Sequence, residues 1–267
     1  FPYTTLFRSM PINRTTLNRL YDAGLATDEE AAAFLAARAE PVATVRTATN
    51  VAANETIVGT ADKPVAIELI GGGSVENRGT IRGFANSSAI VVTGVASAAT
   101  KIDNYGTIEA SKTPGNTARD VAAIYLASRA DIINRPTGVI RGTGGADGII
   151  VATDVANGDV GGSTITNEGL ISSDSGNAIS VYGAMRSITN SGTIISQTGT
   201  AIYLGANGSI SDGITNSGTI QGGPNDGSGK AIDASLSSAP LTVTNSGTIV
   251  GQVLFGSGND QLRLLGG

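Results

Sequence analysis

Asn190-Ser191-Gly192-Thr193-Ile194, Asn216-Ser217-Gly218-Thr219-Ile220 and Asn245-Ser246-Gly247-Thr248-Ile249 are copies of one pentapeptide, 26 and 29 residues apart. Asn77-Arg78-Gly79-Thr80-Ile81 and Asn104-Tyr105-Gly106-Thr107-Ile108 differ from them only at the second position. Looser copies are Asn167-Glu168-Gly169-Leu170-Ile171 and Asn134-Arg135-Pro136-Thr137-Gly138-Val139-Ile140. Two positions before each asparagine stands an aliphatic residue: Val75, Ile102, Ile132, Ile165, Ile188, Ile214 or Val243. The asparagines are spaced by 27, 30, 33, 23, 26 and 29 residues, a mean of 28. A period between roughly 20 and 50 residues marks a stack of repeated units.

A second element recurs between the asparagines, as Ala89-Ile90-Val91-Val92, Ala123-Ile124-Tyr125-Leu126, Ala178-Ile179-Ser180-Val181 and Ala201-Ile202-Tyr203-Leu204. Its alternation is that of a short strand with one face buried. Each period therefore holds three strands: one ending at the asparagine, one carrying Thr-Ile, and one carrying Ala-Ile. Three strands in about 28 residues are too few for a four-stranded propeller blade, which needs roughly 40. They predict an all-β fold, a right-handed parallel β-helix of about 7–8 coils, over residues 49–267.

Stacking explains why the letters repeat. Coils about 4.8 Å apart place equivalent residues above one another. Ile81, Ile108, Ile140, Ile171, Ile194, Ile220 and Ile249 should form an inner column, and the asparagines a hydrogen-bonded ladder at a corner. Asparagine tolerates the left-handed turn conformation, and the glycine two residues on is expected to supply positive φ. Ile194→Asp should abolish folding, and Asn190→Ala should cost about 1–2 kcal/mol as one lost buried hydrogen bond. The long intervals at residues 109–120, 153–163 and 222–229 read as loops projecting from one edge, where recognition would sit.

Composition excludes several function classes. With 37 glycines, 4% aromatics and 15% charged residues, the chain suits many short strands joined by tight turns. It has no cysteine and no histidine, which removes disulfides, thiolate metal sites, Ser-His-Asp triads and most zinc sites. A net charge of −5 argues against nucleic acid or anionic membrane as a partner. The most apolar run, residues 89–100, is too short and polar to span a bilayer.

The N-terminal part differs in kind. Residues 1–9 (FPYTTLFRS) resemble the translation of a sequencing-library adapter and are set outside the fold. Residues 10–48 read as a short helical hairpin with a linker or cap, its helices at about 15–23 and 28–39. Thr27-Asp28-Glu29-Glu30 is a capping-box pattern, and Pro41 stops the second helix. No apolar leader follows Met10, and the chain is expected to be a fragment.

Taken with Gly251-Gln252-Val253-Leu254-Phe255-Gly256-Ser257-Gly258-Asn259-Asp260-Gln261-Leu262, the Asn-Ser-Gly-Thr-Ile copies make residues 50–267 resemble the passenger region of bacterial autotransporters and related repeat-rich surface proteins. The resemblance implies a secreted or outer-membrane-displayed adhesive or structural module without catalysis. It also implies an outer-membrane barrel beyond the C-terminus and an extracellular ligand such as carbohydrate or a host surface. Gly256-Ser257-Gly258-Asn259-Asp260-Gln261-Leu262 also resembles one nonapeptide of the calcium-binding repeats of type I secreted proteins, which makes Asp260 a candidate Ca²⁺ ligand. Polysaccharide lyases and hydrolases share the β-helix, and for them Asp154 with Asp159, or Glu109 with Asp120, are the acid pairs to examine. Tyr105, Tyr125, Tyr182 and Tyr203 are candidates for stacking on sugars. Tyr125 and Tyr203 follow Ala-Ile equivalently and are expected to face outward together.

Overall fold

The computed structural model of the chain describes residues 48–94, 100–113, 115–118, 120–153, 161–224 and 229–266. The chain separates into two units, Phe1–Thr44 and Val45–Gly267, and all described residues belong to the second. The helical hairpin expected before residue 48 lies outside the described residues.

The second unit is a parallel β-solenoid. Its strands form one sheet of nine and two of eight, and every pairing joins a strand to its counterpart in the coil before or after. One coil runs through Ser187–Asn190 in the first sheet, Thr193–Ser196 in the second and Ile202–Leu204 in the third. Eight passes through the second sheet make about seven full turns. One addition breaks the three-strand rule: Ala184–Met185 pairs with Ser209–Ile210 to form a small fourth sheet. Among the described residues there is no helix, and so none long and apolar enough to cross a membrane.

Identical residues stack because parallel pairing keeps register. The second sheet aligns Ile57, Ile81, Ile108, Ile140, Ile171, Ile194, Ile220 and Ile249. The first aligns Val75, Ile102, Ile132, Ile165, Ile188, Ile214 and Val243, and the third aligns Ile67, Ile90, Ile124, Ile149, Ile179, Ile202 and Ile232. These columns meet in one continuous apolar core, with only the outermost rungs partly exposed. Each buried isoleucine contributes about 1.5–3 kcal/mol of transfer free energy. No coil could offset the ordering of some 28 residues by itself, so stability is a property of the stack.

The asparagine ladder runs along one corner. The Nδ2 of Asn77 donates to the Oδ1 of Asn104 at 2.8 Å, and the chain continues through Asn134, Asn167, Asn190, Asn216 and Asn245 at 2.6–2.8 Å. Each amide also donates to a carbonyl within its own corner or in the next coil; Asn190, for example, bonds the oxygens of Gly192 and Thr219. The ladder ends where other residues take the position: Val51 is level with Asn77, and Leu264 with Asn245.

Two expectations about this corner need correction. None of the ladder asparagines or their glycines has a φ in the left-handed region; the described non-glycine residue that does is Asn86, at 63°. The glycines are required by close approach instead. A Cβ on Gly106, Gly192, Gly218 or Gly247 would overlap the carbonyl oxygen of the glycine one coil earlier. Those same carbonyls accept the backbone N–H of the following threonine, as Gly169 does from Thr193 at 2.8 Å. The loops also do not leave from one edge. Residues 112–121 and 222–229 join the second sheet to the third, whereas residues 152–163 join the third to the first.

Candidate functional site

In the acid pair Glu109 and Asp120, Glu109 is committed to an ion-pair network. Glu109 was expected in a solvated loop but lies within strand Thr107–Ser111, level with Arg82 in one coil and Arg141 in the next. Both guanidinium groups bind its carboxylate, which is 12% exposed. Burial pushes the Glu109 carboxyl up, but the hydrogen bonds and charges of Arg141 and Arg82 outweigh it and hold it below the usual carboxylate range. A depressed folded value stabilises the fold above the unfolded value and is lost as pH falls through the folded one. Glu109→Gln is therefore expected to cost about 1–2 kcal/mol at pH 7. It should also flatten the loss of stability of the native protein below roughly pH 4.3, in urea titrations at pH 7 and pH 3. Asp154 and Asp159 lie outside the described residues.

Asp147 is a buried acid whose titration is shifted upward. Burial drives its carboxyl up, against hydrogen bonds from the Ser180 hydroxyl at 2.6 Å and the Asn177 N–H at 2.8 Å. Asn177 Nδ2 in turn donates to Ser180 Oγ. With these partners Asp147 bridges two coils.

Asp260 has a structural partner: its Oδ1 accepts the N–H of Leu241 at 2.8 Å and so ties the last turn to the coil before it. Among the described residues no three acids gather into a group that could hold a metal ion.

The tyrosines divide differently from the sequence expectation. Tyr105 sits at the ladder corner with the Arg78 guanidinium 4.3 Å and that of Arg135 5.5 Å from its ring centre, an arrangement of cation–π contacts. Tyr125 and Tyr203 do share the outer column of the third sheet, as expected. Three coils separate them, because the column reads Tyr125, Ile150, Ser180, Tyr203. Tyr182, one residue beyond strand Ile179–Val181, supplies the connection. Its ring meets that of Tyr203 edge to face at 5.9 Å and 66°, and with Tyr125 it lines a hollow of about 180 Å³. Asp120, Ile150, Ala152 and Thr153 complete the lining. The sequence names all three tyrosines and Asp120, but their grouping depends on loop paths that the repeat leaves unspecified.

The outer face of the first sheet changes character along the stack. The early coils carry ion pairs, Arg135 with Asp103 at 2.7 Å and Arg78 with Glu76 at 2.8 Å. Further on, Thr166, Thr189, Thr215 and Thr244 form a neutral hydroxyl column on the first sheet.

No family model matches the chain, and neither a curated protein nor a solved structure matches it significantly.

Proposed function

We propose that this chain is a structural or adhesive segment of a secreted or surface-displayed bacterial protein, working as a rigid rod without catalysis. The observation that supports it most is the unbroken ladder from Asn77 to Asn245, with its seven asparagines in register. A stack of about seven turns at roughly 4.8 Å extends about 35 Å and presents faces along its length. We take the winding to be right-handed, the hand adopted by nearly all strand–crossover–parallel-strand connections. The likeness of the Asn-Ser-Gly-Thr-Ile copies and of residues 251–262 to autotransporter passengers supports the outer-membrane route.

A type I secreted calcium-binding protein is the second reading, and the Gly-Ser-Gly-Asn-Asp260 turn is the feature that favours it. The test is to read the gene on both sides of residues 10–267. An apolar leader upstream and a run of amphipathic segments of roughly ten residues downstream would support the passenger reading. An array of Gly-Gly-x-Gly-x-Asp nonapeptides would replace it with the calcium-binding one. Flanks that encode a cytoplasmic enzyme would overturn both.

A further inference from the structure

We propose that the hollow lined by Asp120, Tyr125, Ile150, Ala152, Thr153 and Tyr182 is a subsite for one neutral pyranose ring of a glycan. The inference rests on the adhesive reading and gives that reading a ligand class and a place. Three consecutive coils build the site. Tyr125 comes from strand Ala122–Leu126, Ile150 from Asp147–Val151, and Tyr182 follows Ile179–Val181. The two tyrosine backbones are therefore two coils apart, about 10 Å along the stack, with the Ile150 side chain between their levels. The volume of about 180 Å³ falls below the roughly 300–1,000 Å³ of drug-sized sites and suits a single sugar ring.

The chemistry of the lining is that of a saccharide contact. A pyranose has an apolar C–H face and a rim of hydroxyls. The tyrosine rings and Ile150 offer surfaces for the first, while Asp120, Thr153 and the Tyr125 phenol offer hydrogen bonds for the second. Burial, reinforced by the nearby Asp120 charge, pushes the Tyr125 phenol up, so it stays neutral and able to donate at physiological pH. Tyr203 braces the Tyr182 ring edge to face, which limits the side-chain entropy lost on binding. The Asp120 carboxylate in the described lining disfavours an acidic sugar. That preference is opposite to the one a lyase acting on acidic polysaccharides would need.

Saturation-transfer NMR on the intact 267-residue chain tests this with the methyl glycosides of glucose, galactose and N-acetylglucosamine, and with methyl glucuronide. At least one neutral glycoside should bind saturably with a dissociation constant on the order of 1 mM. Tyr125→Ala, Tyr182→Ala and Asp120→Asn should each weaken it by about tenfold, whereas Tyr105→Ala, at a different corner, should not. Glucuronide should bind at least about tenfold more weakly than the neutral sugar and recover in Asp120→Asn. Circular dichroism checks that each variant folds, and Tyr125→Phe replaces Tyr125→Ala if that one does not. Saturable binding by no neutral glycoside would overturn the proposal, as would binding indifferent to these substitutions or preference for the glucuronide. The rod reading would survive any of these results, because it depends on the ladder and on the flanking gene.

Discussion

Ile194→Asp is expected to leave no folded solenoid: circular dichroism should lose the β-sheet signal and limited proteolysis should degrade the coils. Ile194 is fully buried, held between Ile171 and Ile220 in the central column. An ionised carboxylate there faces only aliphatic side chains, so it would take up a proton rather than remain charged. Even then its hydroxyl lacks a partner, at about 2–7 kcal/mol, and the lost aliphatic volume adds about 2–5 kcal/mol. The combined cost rivals the 5–15 kcal/mol of total stability typical of a folded domain. Ile194→Val should cost only about 1 kcal/mol at the same position. An Asp variant with native circular dichroism and an unchanged melting temperature would show that this column is not the interior.

Most of the fold could be read because stacking turns one local rule into many. Each interior column repeats an aliphatic residue from coil to coil, so Ile81 through Ile249 are legible as one column in the sequence alone. The reason for the ladder glycines was not legible, since a close approach between coils and a positive φ leave the same residue in the sequence. Glu109 was misplaced for a related reason. The long interval after it reads as loop, but its pairing with Arg82 and Arg141 belongs to neighbouring coils, 27 and 32 residues away. The candidate site was legible only as a set of names. Tyr182 and Asp120 lie outside the strands, and turns of unequal length decide where such residues meet.

Asn190→Ala should cost about 3–6 kcal/mol, well above the 1–2 kcal/mol expected for one hydrogen bond, because the structure gives this amide several partners. Its Nδ2 donates to Asn216 Oδ1 at 2.7 Å, Thr219 O at 3.1 Å and Gly192 O at 3.2 Å, and its Oδ1 accepts from Asn167 Nδ2 at 2.7 Å. Truncation removes all four at a fully buried corner. Asn216 Oδ1 loses its amide donor from the preceding coil, while Asn167 Nδ2 loses one of three acceptors and keeps the oxygens of Gly169 and Thr193. The four lost bonds are worth about 0.5–1.5 kcal/mol net each, and the bared Asn216 Oδ1 adds about 1–3 kcal/mol. The end of the ladder supplies the internal control. Asn245 accepts from Asn216 but passes no bond to a further asparagine, donates to Gly247 O at 3.1 Å and is only partly buried. Asn245→Ala should therefore cost about 1–2 kcal/mol. Chemical denaturation of the two variants beside the parent reads the difference directly. A gap between them shows that the corner derives its stability from continuity along the stack, with each amide polarising the next. Equal losses would instead reduce the ladder to a row of independent turns, and the rigidity of the rod would have to come from the isoleucine columns alone.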